Sequence, residues 1–93
     1  MKYEIQRTSS FKRDYKLAKK RGYDISKLKA VVTLLADGAD LPAVYSDHAL
    51  TGNWIGFREL HIAPDWLLVY RIYEQQLILS LTRTGTHSDI FGK

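Results

Sequence analysis

The spacing of apolar residues changes near the middle of the chain, and this change limits the possible fold more than any other feature. Before the change, one stripe of apolar residues has the period of an α-helix: Ile25, Leu28, Val31, Val32 and Leu35. From residue 54 onward, β-forming residues dominate three stretches that are separated by short turns. Helices followed by separate strands predict an α+β fold.

The first half is predicted to contain a short strand at residues 3–7 and then two helices. The sequence Thr8-Ser9-Ser10 offers an N-cap for the first helix, and Gly22 is a suitable stop. Asp24 or Ser26 caps the second helix. We expect the two helices to form a hairpin with a basic outer surface.

The second half is predicted to form an antiparallel meander, with the first strand outlying. Residues 40–53 are expected to be a loop, because turn formers are frequent and no period is sustained. The strands are then expected at residues 54–62, 66–73 and 77–83. Their connecting turns are Ala63-Pro64-Asp65 and Glu74-Gln75-Gln76.

Length and composition narrow the class of protein. The 93 residues predict one domain, spanning residues 1–93. The absence of cysteine excludes a disulfide framework and a thiolate zinc site. The N-terminal residues have no apolar region typical of a secretory signal, and no apolar run approaches the roughly 18 residues that span a bilayer. We therefore expect a cytoplasmic protein that does not contact membranes.

The chain is basic, with a net charge of +4 and an isoelectric point near 9.4. Eight of its 14 lysines and arginines lie within residues 12–29, against only Asp14 and Asp24. Such a cluster is either a solvated helix face or a surface that follows nucleic-acid phosphates. The sequence alone leaves both interpretations open.

Five residues that could take part in catalysis lie in or beside the predicted sheet. They are His48, His61, Asp65, Arg83 and His87. Each is expected in a loop or at a strand end, and such positions can meet in one cleft on a rigid scaffold. Taken singly, each also has an ordinary interpretation as a surface, turn or edge residue.

Metal-free RNA cleavage suits these residue types. Histidine can serve as base or acid near neutral pH, and the planar guanidinium of arginine can pair with two phosphate oxygens. Zinc binding is a rival, but the histidines form no tight pair in the sequence. Ser80 and Ser88 lack the flanking glycines of a nucleophile elbow, and no glycine-rich phosphate loop is present.

Two segments carry a resemblance to a known family. The first contains Asp47-His48-Ala49-Leu50, Gly52, Trp54, Gly56, Arg58, His61, Pro64-Asp65-Trp66-Leu67-Leu68 and Tyr70. The second reads Arg83-Thr84-Gly85-Thr86-His87-Ser88 and then Ile90-Phe91. Together they resemble the YafQ toxins of the RelE/ParE superfamily, from type II toxin–antitoxin systems. Ala49 departs from the pattern, where a proline is expected after the histidine.

The resemblance implies a RelE-like fold and a ribosome-dependent endoribonuclease that cuts mRNA in the A site, without a metal or other cofactor. It implies a prokaryotic source and a cognate antitoxin of DinJ type, through which alone the toxin would contact operator DNA. The family's functional positions fall on seven residues of this chain: His48, His61, Asp65, Trp66, Arg83, His87 and Phe91.

The resemblance and the chemistry together suggest a role for each position. His87 is expected to be the general acid, and Arg83 to bind the scissile phosphate. His48, His61 and Asp65 are expected to activate and orient the 2′-OH, although Asp65 could instead hold a histidine tautomer.

Binding roles are expected at two further places. Trp66 and Phe91 are expected to shape the nucleotide pocket. The basic helical surface, represented by Lys16, Lys19 and Lys20, is expected to dock on ribosomal RNA.

Two alternatives belong to other functional classes. A gyrase-poisoning toxin of the ParE branch would share the fold but would not need a histidine-rich cleft. A plain RNA-binding module would bind without cleaving. Trapped gyrase–DNA complexes would support the first alternative, and binding without codon-phased cuts would support the second.

Overall fold

The computed structural model describes residues 1–92 as a five-stranded sheet with three α-helices. The strands are β1 (Glu4–Arg7), β2 (His48–Ala49), β3 (Arg58–Ala63), β4 (Trp66–Tyr73) and β5 (Ile78–Gly85). The helices are α1 (Ser9–Lys20), α2 (Ile25–Ala36) and α3 (His87–Phe91), with short 3₁₀ turns at Ala43–Tyr45 and Gly52–Trp54. The predicted α+β class and the two consecutive helices are both present. No helix within residues 1–92 is long and apolar enough to cross a membrane.

The sheet has the strand order β1-β5-β4-β3-β2. Strands β3, β4 and β5 form the predicted antiparallel meander. Strand β1 is not outlying, because it pairs in parallel with β5, with Glu4 opposite Ile78 and Arg7 opposite Leu81. The sheet is therefore mixed, and α1 and α2 connect its first edge to the far end.

The helix starts follow the capping residues of the sequence. The Thr8 hydroxyl accepts a hydrogen bond from the Phe11 backbone N–H at 3.0 Å, and it donates to the carbonyl of Thr82 at 2.7 Å. The first helix is thus tied to β5 at its first turn. Asp24, rather than Ser26, caps α2 by accepting from the Ser26 backbone N–H at 3.1 Å.

The region before β3 departs from the prediction. The strand expected from residue 54 begins only at Arg58, because Gly52 and Gly56 adopt positive φ angles of 64° and 93° that interrupt extended backbone. The expected loop also contains strand β2, in which His48 lies opposite Glu59 of β3. The last strand begins at Ile78 and continues to Gly85, two residues beyond the predicted end.

The sheet is covered on both faces, which explains why β4 is apolar along most of its length. On one face, Leu68 and Tyr70 of β4 pack in a large core with residues of α1 and α2. On the other face, Leu67 and Val69 pack against Ile90 of α3. The second, smaller core therefore fixes α3, and with it the start of that helix, against the sheet.

Two successive buried hydrogen bonds link β4 to β5 near the site. The indole N–H of Trp66 donates to the Thr84 hydroxyl at 2.9 Å, and this hydroxyl donates to the Leu67 carbonyl at 2.7 Å. Thr84 is only 1% exposed. A buried donor left without its acceptor would be costly, so the hydroxyl is a structural requirement.

We predict that Thr84→Val lowers the free energy of unfolding by about 1–3 kcal/mol, because the Trp66 indole N–H then loses its partner. Thr33→Val is the matched control, since the exposed Thr33 hydroxyl bonds only to the Lys29 carbonyl of its own helix at 2.9 Å. Its expected effect is within about 0.5 kcal/mol. Urea unfolding of both variants measures the difference, and equal destabilisation of the two would contradict the prediction.

Candidate active site

Three histidines and a phenylalanine form a row of rings on the α3 face of the sheet. Ring centroids lie 6.5 Å apart for His48 and His61, 6.0 Å for His61 and His87, and 6.3 Å for His87 and Phe91. The row crosses from β2 through β3 to α3. The pairing of β2 with β3 and the docking of α3 on the sheet bring these residues together from distant parts of the sequence.

The buried carboxylate of Glu59 lies beneath the row and was not singled out in the sequence. Its Oε2 atom is 3.1 Å from Nε2 of His48 and 3.9 Å from Nε2 of His61, and Glu59 is 5% exposed. Glu59 precedes His61 by two positions on a strand, so both lie on one face of the sheet. This alternation is the sequence signal that could have identified it.

Both ring nitrogens of His48 face acceptors. Nδ1 lies 2.8 Å from the Ser46 carbonyl, and Nε2 lies beside the Glu59 carboxylate. A carbonyl can only accept, so Nδ1 carries a proton. Nε2 is therefore the nitrogen of His48 that faces the Glu59 carboxylate.

Asp65 lies in the turn after β3 and contacts His87 at the start of α3. Its Oδ1 atom is 3.1 Å from Nδ1 of His87 and accepts from the His87 backbone N–H at 3.3 Å. The side-chain hydrogen bond with His87, more than any other interaction, lowers the pKa of Asp65. A carboxylate at Nδ1 holds the proton on that nitrogen and leaves Nε2 as the atom that exchanges protons.

The guanidinium of Arg83 is already hydrogen-bonded through Nε and Nη2, so these two nitrogens are not both open for a phosphate. Its Nε donates to Asp14 at 2.7 Å and its Nη2 donates to the other Asp14 oxygen at 3.3 Å. Nη2 also donates to the Asp89 backbone carbonyl at 3.3 Å. The hydrogen bond to Asp14 raises the pKa of Arg83. Asp14 is the second site residue that the sequence did not single out.

Asp89 holds the short helix α3 in place. Thr86 and Asp89 form a reciprocal capping box, in which the Thr86 backbone N–H donates to Asp89 at 3.0 Å. Arg21 at the end of α1 donates to both Asp89 oxygens, at 2.6 and 3.2 Å. The hydrogen bond from Arg21 is the largest of the effects that lower the pKa of Asp89. Since α3 has five residues, these contacts matter more than helix propensity.

The residues expected to bind nucleotide occupy different environments. Phe91 is partly buried at the end of the row, and its ring meets the edge of Trp54 at 5.7 Å between centroids. Trp66 is only 4% exposed and packs on Tyr23 in the core, so its ring face is not open for stacking. The expectation that Trp66 shapes the nucleotide pocket stays a prediction.

The three lysines expected to dock on RNA are all exposed on α1: Lys16, Lys19 and Lys20. The same helix carries Asp14 and is followed directly by Arg21, and these two residues contact Arg83 and α3. Helix α1, which carries the basic face, is therefore linked through Asp14 and Arg21 to Arg83 and to α3, where the row of rings ends.

Three side chains could hold a metal ion. One ligand atom from each of Glu59, His61 and His87 lies within 4.8 Å of the others. Two imidazoles and a carboxylate suit a divalent transition metal. The sequence spacing did not suggest this set, because the sheet and α3 bring the three residues together only in the folded chain.

We predict that α3 loosens on acidification, because its anchor is an ionised aspartate. The lowered pKa of Asp89 stabilises the folded state above the ordinary aspartate pKa of 3.8, and this stability is lost progressively as pH falls below that value. Trp54 fluorescence and the amide signal of Ile90 would report the change, since Trp54 contacts Phe91. In Arg21→Gln the change should begin at higher pH, and an unchanged profile would contradict this account.

Comparison with known proteins gives a consistent result. The family model described as the bacterial toxin of type II toxin–antitoxin system, YafQ, matches residues 3–92. The mRNA interferase toxin YafQ of Escherichia coli K12 is 44% identical over 90 residues, covering 96% of each chain.

Solved structures agree in fold. The YafQ chain of the E. coli DinJ–YafQ complex is similar with a TM-score of 0.89 and 44% identity, over 97% of this chain and 99% of that one. A metal-bound toxin from Helicobacter pylori is similar with a TM-score of 0.90 and 42% identity, over 96% and 99%. The chain therefore belongs to the YafQ family of bacterial toxins of type II toxin–antitoxin systems.

Proposed function

We propose that this toxin is an endoribonuclease that cleaves mRNA in the ribosomal A site and so inhibits translation. The observation that carries the proposal is the row of His48, His61 and His87, with a carboxylate at each end of it. The related E. coli protein is named an mRNA interferase toxin, which supports the same activity. A gyrase poison would have no use for three adjacent imidazoles.

His87 is the general acid in this proposal. Asp65 holds a proton on Nδ1 of His87, which leaves Nε2 as the atom that passes a proton to the leaving 5′-oxygen. Asp65 thus fits the alternative role of orienting a histidine rather than that of a base for the 2′-OH. The geometry resembles the division of labour in a catalytic triad.

His61 is the best placed general base. His48 is engaged at both nitrogens by Ser46 and Glu59, whereas His61 lies between His48 and His87 in the row. A proton taken from the 2′-OH by His61 allows the 2′-oxygen to attack phosphorus while the 5′-oxygen leaves. The products are a 2′,3′-cyclic phosphate and a 5′-hydroxyl. The Glu59 carboxylate, 3.9 Å from Nε2 of His61, then stabilises the charge that His61 gains.

Two further side chains complete the reacting site. Arg83 stabilises the phosphorane charge through Nη1, since Asp14 and the Asp89 carbonyl engage Nε and Nη2. Phe91 offers a partly exposed ring next to His87 on which a base can stack. Trp66 supports this arrangement from the core by fixing the end of β5 through Thr84.

The chemistry needs no metal, although the site can bind one. The similar toxin from H. pylori is described as metal-bound, and we propose that Glu59, His61 and His87 bind divalent ions in this chain. Such an ion would occupy nitrogens that transfer protons, so we expect cleavage to persist with a chelator.

The proposed function also implies an antitoxin and the ribosome as partners of this protein. A DinJ-type antitoxin neutralises the toxin, by analogy with the E. coli complex, and operator DNA is contacted only through that complex. The ribosome and its mRNA lie in the cytoplasm of a prokaryotic cell, where the toxin acts.

We predict that His87→Ala slows cleavage of mRNA on translating ribosomes by about 10²–10⁴-fold, through loss of the general acid. Arg83→Ala should slow it by about 10²–10³-fold, through loss of phosphate stabilisation. Arg7→Ala is the control, because Arg7 is an exposed arginine of β1. Mapping of mRNA 5′ ends, in the presence of a chelator that binds transition metals and leaves the Mg²⁺ of the ribosome in place, measures the rates and the codon phase.

Full cleavage by both His87→Ala and Arg83→Ala would overturn the assignment of roles. Binding by the unmodified protein without any cuts would favour an RNA-binding module. Trapped gyrase–DNA complexes would favour the ParE type of toxin.

We predict that the triple charge reversal of Lys16, Lys19 and Lys20 to glutamate weakens ribosome association. Phosphate binding releases counterions, so the logarithmic salt dependence should flatten by roughly 0.7 for each phosphate that a lysine no longer neutralises. Lys2→Glu is compared with Lys16→Glu as a single-charge control, since Lys2 lies at the exposed N-terminus and not on α1. Unchanged affinity and salt dependence in the triple variant would contradict this docking surface.

A further inference from the structure

The end of β5 has an unusual neighbour. Strand β1 accompanies β5 only as far as Leu81, which pairs with Arg7. The chain then turns into α1, where the Thr8 backbone N–H donates to the Leu81 carbonyl at 3.1 Å and the Thr8 hydroxyl donates to the Thr82 carbonyl at 2.7 Å. Beyond this point, a helix replaces a strand along the edge of β5.

A β-bulge lies at the same place. Val69 and Tyr70 of β4 are consecutive, but their partners on β5 are Arg83 and Leu81, so Thr82 is an additional residue. Bulges redirect side chains and often lie beside active sites. Here the bulge immediately precedes Arg83, whose side chain contacts Asp14 on α1.

Asp14 connects this edge to Arg83 through a single carboxylate. The Thr84 backbone N–H donates to Asp14 Oδ2 at 3.1 Å, as it would to a strand carbonyl. The same oxygen accepts from Arg83 Nε at 2.7 Å, and Oδ1 accepts from Nη2 at 3.3 Å. The Asp14 side chain is only 12% exposed, against 26% for Arg83. The carboxylate is therefore fixed to the backbone of β5 and fixes the guanidinium in turn.

We propose that Asp14 is a positioning residue for Arg83 in RNA cleavage. An unrestrained arginine side chain would lose rotamer freedom when it binds a phosphate, whereas the hydrogen bonds to Asp14 order the guanidinium beforehand. They direct Nη1 to the scissile phosphate. Asp14 also brings negative charge near that phosphate, which opposes binding. The hydrogen bond from the Thr84 backbone N–H holds the Asp14 carboxylate on the side of the guanidinium that is far from the phosphate. The ordering of Arg83 therefore outweighs the repulsion between Asp14 and the phosphate.

The inference rests on the proposed endoribonuclease activity, and Asp14→Asn tests it. The substitution retains the size of the side chain but weakens the two hydrogen bonds to Arg83. We expect kcat for ribosomal mRNA cleavage to fall about 10²-fold with little change in KM, because the group that stabilises the transition state is misplaced. Asp37→Asn is the control, since it removes the same charge at an exposed position that follows α2.

A double-variant comparison separates positioning from a general structural role. In an Arg83→Ala background, Asp14→Asn should cause no further decrease of kcat, because the two residues act as a unit. Decreases that multiply would overturn the proposal, as would an unchanged or raised kcat in Asp14→Asn alone. A raised kcat would mean that Asp14 competes with the phosphate for Arg83.

Failure of the proposed function would be visible in the unmodified protein, which would then not cleave mRNA. The positioning claim keeps an independent test in that case. Solvent exchange of the Arg83 Nε–H, measured by NMR, should be faster in Asp14→Asn than in the unmodified protein and in Asp37→Asn. Equal exchange in all three proteins would overturn the claim that Asp14 orders Arg83.

Discussion

The docking of α3 against the second face of the sheet is the interaction on which the candidate site depends. Ile90 packs on Leu67 and Val69, and Asp89 binds Arg21 of the segment that follows α1. His87 begins α3, so this packing and ion pair determine its distance from His61. A five-residue helix is not stable alone, and its position follows from burial and from the capping box.

Each cationic or protonatable side chain of the site lies beside a carboxylate, and His48 and His61 share one. Asp65 contacts His87, Glu59 contacts His48 and, at a longer distance, His61, and Asp14 contacts Arg83. Positive groups that lie close together in a site repel one another, and neighbouring carboxylates offset this repulsion. The carboxylates orient these groups before substrate arrives, so less reorganisation is needed during the reaction.

Much of the fold follows from sequence patterns. The helical stripe from Ile25 to Leu35, the cap at Thr8 and the strand Trp66–Tyr73 are set by local spacing, and all are present. The parallel pairing of β1 with β5 was not predicted, because it joins residues more than seventy positions apart and leaves no local signal. The 3₁₀ turn at Gly52–Trp54 replaced the start of a predicted strand because two glycines there adopt positive φ.

Part of the candidate site could also be predicted from the sequence. The histidines and the arginine were identified by residue type, and the family resemblance joined them into one set. Glu59 and Asp14 were missed because a carboxylate on a strand or in a basic helix looks like a surface residue until its partners are known. Trp66, which was assigned to the nucleotide pocket, is buried and donates its indole N–H to Thr84, a partner that the sequence did not indicate.

In the proposed reaction, the histidine row takes the proton of the RNA's own 2′-OH. The most direct measurement replaces that one hydroxyl with hydrogen at the cleaved nucleotide of an mRNA positioned in the ribosomal A site. We expect cleavage at this position to be abolished, while the unmodified mRNA is cut to a 2′,3′-cyclic phosphate even when a chelator selective for transition metals over Mg²⁺ is present. Cleavage of the 2′-deoxy substrate at an undiminished rate would contradict it, because water would then be the nucleophile.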